Sequence, residues 1–276
     1  MRKTIDQIRT QETPVVCLTS YTAPLTVQAD QYCDLLLVGD SVSMVLYGEE
    51  TTQSATMEMM IRHGKAVVKA SKKAVIIVDM PYGSYESDPV IALQNAQKIM
   101  DETGCGGVKL EGGEQQAATI KFLTENDIPV MAHIGLLPQS VSEPSGYKVQ
   151  GRDNDSAAQL IRDAKAVEEA GAFCVVIEAV PHDLASEITQ MVTIPTIGIG
   201  ASNNCNGQIL VAEDMLGMSV GKPPKFVKQY ENIAQAMATA IKDYADEVKT
   251  RQFPAQEHTY KAMTSDMMQD SLKKAS

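Results

Sequence analysis

The sequence predicts a (β/α)8 barrel, and three observations predict it. Short apolar runs alternate with longer helical patterns along 276 residues, and there are eight such runs. Most are continuous Val/Ile/Leu stretches, the pattern of parallel strands covered on both faces. Hydrophobic residues make up 44% of the chain, enough to fill one large core. A doubly wound open sheet is the alternative arrangement of the same units. No linker or composition shift divides the chain. One barrel domain is therefore expected over residues 1–276, with a polar tail from about Thr250.

The strand candidates, in order, are "PVVCLTS" (Pro14–Ser20), "DLLLVGD" (Asp34–Asp40), "AVIIVDM" (Ala74–Met80), "GGVKLEG" (Gly106–Gly112), "IPVMAHIG" (Ile128–Gly135), "FCVVIEAV" (Phe173–Val180), "IPTIGIG" (Ile194–Gly200) and "QILVAED" (Gln208–Asp214). Helical patterns lie between most of them. One has Asp88 as N-cap and Pro89 at its first position, carries Val90, Leu93 and Ile99, and stops at Gly104. Another starts at Ser156 with Gln159 placed for a capping box, carries Leu160, Ala164 and Val167 on one face, and closes at Gly171. Residues 134–153 break the rhythm as a loop rich in Pro, Ser and Gly. A loop of that length is expected to act as a lid.

The formal net charge of −11 argues against non-specific binding to nucleic acid or to an anionic membrane, since both need a cationic surface. An anionic substrate would need its own local positive charge. The five cysteines are widely spaced and form no CxxC pair. Neither a disulfide framework nor a thiolate zinc site follows, and a reducing, cytoplasmic setting is expected. The opening "MRKTIDQIRT" has no apolar leader, and no run approaches the length of a membrane span.

Charged residues gather at the C-terminal ends of the strand candidates. The second ends at Asp40, followed by Ser41, and the third at Asp79. The fourth carries Lys109 and Glu111, the fifth His133, and the sixth ends at Glu178. Each has an ordinary reading alone. An aspartate there caps a helix, Lys109 and Glu111 pair two apart on one strand face, His133 sits satisfied in a core, and Glu178 bonds loop amides. Five such ends together point to a site, because a parallel barrel brings them to one face and an unpartnered buried charge costs several kcal/mol. Asp40, Asp79 and Glu111 are hard oxygen donors suited to Mg2+. A 2-keto acid could chelate that metal, with Lys109 balancing substrate charge. Glu178, on a separate strand, is free to act as general base beside the carbonyl, and the metal to stabilise the enolate. The glycines of "EGGE" (Glu111–Glu114) and "GIGA" (Gly198–Ala201) let backbone amides approach an anion, or make tight turns.

Seven motifs in the same order resemble the ketopantoate hydroxymethyltransferase family: "VGDSVSMV" (Val38–Val45), "VDMPYGSY" (Val78–Tyr85), "GVKLEGG" (Gly107–Gly113), "AHIGLLPQS" (Ala132–Ser140), "GYKVQGR" (Gly146–Arg152), "IEAVP" (Ile177–Pro181), and "IPTIGIGAS" with "GQILV" (Ile194–Val211). The resemblance implies a barrel of the phosphoenolpyruvate/pyruvate type, assembled as a homodecamer. It implies transfer of a hydroxymethyl group from 5,10-methylenetetrahydrofolate to 3-methyl-2-oxobutanoate, giving 2-dehydropantoate and tetrahydrofolate on the way to pantothenate and coenzyme A. By motif, Asp40 and Asp79 match the magnesium-contacting carboxylates and Glu111 the third acidic group. Ser41 and Lys109 match keto-acid contacts, Glu178 the proton acceptor, and His133 a site histidine. The chain departs from the family pattern at Ser145-Gly146, Ala179 and Asn206. A lyase or mutase on the same barrel would call for a reactive cysteine or a gating loop, and Cys17 is the one cysteine near a strand mouth. A non-catalytic keto-acid or folate binding protein is the remaining alternative.

Overall fold

Eight parallel strands close on themselves in chain order: β1 (Val15–Thr19), β2 (Leu35–Val38), β3 (Val75–Asp79), β4 (Gly107–Glu111), β5 (Val130–Gly135), β6 (Cys174–Glu178), β7 (Thr196–Ile199) and β8 (Gly207–Leu210). Closure is made by β1 against β8, with Val15 opposite Gly207 and Cys17 opposite Ile209. All eight predicted strands are present. The computed structural model describes residues 2–141 and 147–260, in two compact units divided after Tyr230.

Strand parity builds the interior. Side chains of one parity, such as Val15, Leu35, Leu37, Ile77, Val176 and Ile197, meet inside the barrel. Those of the other, such as Leu36, Val38, Ile76, Leu110, Ala132 and Val175, form the layer beneath the helices. Each buried Leu or Ile contributes about 1.5–3 kcal/mol by leaving water. Continued upward, the inward parity reaches Asp79 on β3, Lys109 and Glu111 on β4, His133 on β5 and Glu178 on β6. The same alternation that makes a dry floor therefore makes a charged top.

The helices are α1 (Ile5–Arg9), α2 (Ala23–Ala29), α3 (Val42–Val45), α4 (Met57–Ala70), α5 (Pro89–Thr103), α6 (Ala117–Thr124), α7 (Asn154–Glu169), α8 (His182–Met191) and α9 (Ala212–Met215). The carboxylate of Asp88 accepts from the N–H groups of Val90 and Ile91, and Gly104 ends α5 at φ 72°. Its buried face is Ala92, Ala96, Ile99 and Thr103, whereas Val90 is 51% exposed, contrary to the predicted face. Ile91 beside it is 46% exposed as well, so the first turn of α5 contributes little to the core. Helix α7 buries Leu160, Ala164 and Val167 as predicted, but its cap is Asp153, boxed with Ser156. The carboxylate of Asp153 lies three residues before Ser156 and captures its N–H, so the helix starts earlier.

The last strand is shifted from its predicted span. Beyond Leu210 the N–H of Ala212 donates to Thr19 Oγ1 at 3.0 Å, which leaves the ladder and starts α9. No helix separates β7 from β8. The buried Asp30, at the end of α2, accepts from Ser71 Oγ (2.6 Å), Lys72 N (2.8 Å) and Ala74 N (2.9 Å), tying α2 to the entry of β3.

The second unit, from Glu231, holds helix α10 (Ile233–Thr250), capped by Asn232, whose side chain accepts from Gln235 N. Tyr244 and Phe253 meet edge-on at 5.6 Å between ring centroids. Among the described residues no helix is long and apolar enough to cross a membrane.

Candidate active site

A cavity of about 1050 Å3 opens at the C-terminal ends of the strands. All seven residues singled out in the sequence line it: Asp40, Ser41, Asp79, Lys109, Glu111, His133 and Glu178. Register brings them together. Asp79 is the cross-strand partner of Lys109, and Glu111 of His133. Asp40 lies two residues beyond β2, in the turn into α3, rather than at the end of the strand as read from the sequence.

The charged cluster is linked pairwise. Lys109 Nζ lies 2.9 Å from Asp79 Oδ1, and the Asp40 N–H donates to Asp79 Oδ2 at 3.0 Å. His133 bridges two carboxylates, with Nδ1 3.3 Å from Glu111 Oε1 and Nε2 3.2 Å from Glu178 Oε2. Burial alone would pull the His133 pKa down. Its contacts with Glu111 and Glu178 outweigh that and raise it from 6.5 to about 9, so the ring is an imidazolium at neutral pH. Burial likewise opposes a charge on Lys109, but Asp79, Glu111 and Asp40 outweigh it and hold the ammonium charged. Glu111 is held below the ordinary carboxylate range because His133 and Lys109 outweigh its burial. Asp40 is pushed well above that range, first by burial and then by the charges of Asp79 and Glu111.

Four carboxylates thus face one ammonium and one imidazolium. Fully ionised they would leave two negative charges unbalanced, an excess that the raised pKa values of Asp40 and of Asp79, the latter raised by burial, work against. Asp79 Oδ1 and both ring nitrogens of His133 are buried without a well-aligned hydrogen bond. A hard divalent cation suits this oxygen-rich, charge-deficient floor. Among the described residues no group of three or more acidic, His or Cys side chains forms a ready-made cage. Mg2+ typically takes one or two carboxylates and keeps its other positions for water and substrate. Asp40 and Asp79 are the carboxylates that would hold it.

The base side is built differently. Glu178 ends β6 opposite Gly135, whose φ is 94°, and a Cβ there would lie 2.3 Å from Glu178 O. Glycine at 135 lets β5 pass that close, and the Leu136 N–H then donates to Glu178 O at 2.9 Å. Ala179 follows in the left-handed region at φ 50°, an uncommon state for a residue with a side chain. The carboxylate of Glu178 is thereby aimed into the cavity by backbone held on both sides.

Several site residues were missed in the sequence. Tyr21 OH lies 2.7 Å from Ser41 Oγ and is itself buried. Gln139 and Tyr85 join the acidic groups from behind the cavity wall. Lys148, Lys222 and Lys225 line the outer cavity with Tyr47 and Phe226. Tyr85, Gln139 and Lys148 fall within the quoted family motifs without standing out there, and nothing in residue type or spacing marks Tyr21, Lys222 and Lys225. The glycines of "EGGE" act in packing, since a Cβ on Gly113 would strike the Asp163 carboxyl at 2.1 Å. No cysteine lines the cavity, and all five are free. Cys17 lies mid-strand in the barrel interior, where burial pushes its thiol far up. Of the lid segment, residues 142–146 lie outside the described residues, Ser145-Gly146 among them.

The sequence profile described as ketopantoate hydroxymethyltransferase matches residues 1–256. A curated 3-methyl-2-oxobutanoate hydroxymethyltransferase of Ruegeria sp. (strain TM1040) is 56% identical over 259 residues, 93% of this chain and 92% of that one. One of the same name from Bartonella henselae is 54% identical over 262 residues, 94% and 95% of the two chains. Among solved structures, oxaloacetate acetylhydrolase with its product oxalate has a TM-score of 0.60 at 13% identity, covering 98% of this chain and 95% of that one. 2,3-Dimethylmalate lyase, a PEP mutase/isocitrate lyase superfamily member, has a TM-score of 0.55 at 14% identity, covering 98% and 95%. At these identities the structural likeness concerns the barrel alone. The profile and the relatives cover nearly the whole chain, cavity included, and by them the chain is a transferase that belongs to the ketopantoate hydroxymethyltransferase family.

Proposed function

We propose that this enzyme transfers a hydroxymethyl group from 5,10-methylenetetrahydrofolate to 3-methyl-2-oxobutanoate, giving 2-dehydropantoate for pantothenate synthesis. The observation that carries the reading is the division of the cavity floor. Asp40, Asp79 and Lys109 come from the β2–β4 part of the cavity lining, whereas Glu178 ends β6 and touches the cluster through His133. That is the division needed to polarise a 2-keto acid on one side and take its C3 proton on the other.

Glu178 removes the C3 proton while the His133 ring, 3.2 Å away, holds one oxygen of the base. Lys109 and the Ser41 hydroxyl orient the keto acid through its carboxylate and keto oxygens. Bound Mg2+ would supply a Lewis acid for the keto oxygen. The C3–H bond is replaced by C3–CH2OH. The CH2 comes from the donor, the hydroxyl oxygen from water, and the donor leaves as tetrahydrofolate. Lys109 on the floor and Lys148, Lys222 and Lys225 in the wall support two anionic ligands in one cavity. A volume of about 1050 Å3 is ample for a small keto acid and part of a larger donor. A cytoplasmic setting and a decameric assembly belong to the same reading, the latter measurable by light scattering.

The test is proton NMR of 3-methyl-2-oxobutanoate in D2O with protein and Mg2+. Loss of the C3 proton signal should require Mg2+ and fall by about 100- to 10,000-fold in Glu178→Gln. Exchange that persists in that variant would remove Glu178 from its role.

A further inference from the structure

We infer that Gln139 is a positioning residue for the acidic side of the site, and that Tyr85 helps set its orientation. Gln139 lies in the short 3-10 turn Pro138–Ser140 after β5, is 2% exposed, and does not line the cavity. Its backbone N–H donates to Glu111 Oε2 at 3.0 Å. Its Nε2 donates to Asp40 Oδ2 at 2.8 Å and to Met80 O at 2.9 Å. Its carbonyl accepts from Gln53 Nε2 at 2.8 Å. One residue thus holds an oxygen of two acidic groups that come from β4 and from the turn after β2.

The amide is oriented from both ends: Met80 O can only accept, so Nε2 faces it, and Tyr85, also 2% exposed, engages Oε1. The Glu111 N–H donates to Tyr85 Oη at 3.2 Å, so the tyrosine proton is free to go elsewhere. It goes to Gln139 Oε1, at 2.5 Å. With Oε1 engaged as acceptor, Nε2 must face Asp40. That matters because Asp40 stands beyond β2, outside the strand ladder. Its Oδ2 is committed to Gln139, which leaves Oδ1 for the cavity. A structural strut alone would tie loops together. This one ends on the carboxylates themselves, and partners of that kind typically change metal affinity or activity by roughly 10- to 100-fold.

The inference rests on the reading of Asp40 as a metal-holding carboxylate. The test is Mn2+ binding by metal-free protein, followed by electron paramagnetic resonance, for wild type, Tyr85→Phe, Gln139→Met and the double variant. Melting temperatures are measured alongside, with KM for the keto acid and kcat. Tyr85→Phe removes one hydroxyl and keeps the ring, so it covers the case in which Gln139→Met fails to fold. The expected result is Mn2+ affinity at least about tenfold weaker in each folded single variant. The double variant should be little worse than Gln139→Met, because both act through one amide. Unchanged Mn2+ affinity in folded variants, with only a lower melting temperature, would reduce Gln139 to a strut and overturn the inference. A wild type that binds no Mn2+ would overturn the metal reading itself, and this inference with it.

Discussion

Glu111 and His133 are cross-strand partners on β4 and β5, and their side chains meet at 3.3 Å inside the barrel mouth. Parallel register puts the two Cβ atoms on one face, so no loop is needed to bring acid and imidazole together. The same ring reaches Glu178 on its other side. His133 therefore touches both the acidic cluster and the proposed base through its two ring nitrogens.

That charge predicts a pH dependence. The folded pKa of His133 is raised from 6.5 to about 9, so its stabilising contribution is complete below the unfolded value and is lost as pH rises through the folded one. Urea stability should decline between about pH 6.5 and 9, and His133→Gln should flatten that decline. Equal slopes in the two proteins would show that the ring is not the titrating group.

Asp79 and Lys109 form a buried pair at 2.9 Å. Removing one partner strands the other charge, so Asp79→Ala should cost about 3–5 kcal/mol of stability and weaken the response to magnesium. The double variant Asp79→Ala/Lys109→Met should recover much of the stability and none of the turnover. Urea melts and magnesium titration of activity read the two effects separately.

Asp30 makes a prediction away from the site. Burial would raise its pKa, but hydrogen bonds from Ala74, Ser71, Lys72 and Lys73 outweigh it and hold the carboxyl below its ordinary value. Its contribution is present above the unfolded pKa and fades as pH falls through the lower, folded one. Asp30→Ala should cost about 3 kcal/mol at neutral pH, since it orphans several buried donors. The difference from wild type should shrink in acid, as followed by thermal melts across pH.

The outer wall yields a kinetic prediction. Lys222→Gln/Lys225→Gln should raise KM for the folate donor several-fold and leave KM for the keto acid nearly unchanged. The effect should weaken with added salt, because exposed charges are screened within about 8–10 Å at physiological ionic strength. Equal changes in both KM values would place these lysines elsewhere in the cycle.

Much of the barrel was legible in the chain because burial on both faces writes itself as continuous apolar runs. All eight strands could be located, and α5 with its Asp88 cap and Gly104 stop was readable to the residue. Val90 was misread because the buried face of α5 runs through the small residues Ala92 and Ala96, which an apolar-periodicity reading passes over. The last strand was overrun because Val211 is apolar, while the bond that ends it comes from Thr19, almost the whole chain away. Six of the seven site residues could be named because a titratable group at the end of an apolar strand is anomalous locally, and Ser41 because it follows Asp40 in a family motif.

Lys148, Lys222, Lys225, Gln139 and Tyr85 carry no such anomaly, and only folding identified them. By itself the sequence determined the strand count, the shared face of Lys109 and Glu111 and the carboxylates at the mouth, since these depend on neighbours one or two residues apart. Tertiary structure alone decided which oxygen meets which partner: Asp79 with Lys109, Glu111 with His133, Gln139 with Asp40. Those pairings follow from register and from loops crossing the barrel top. Both are set by closure of the whole sheet, which no local pattern records.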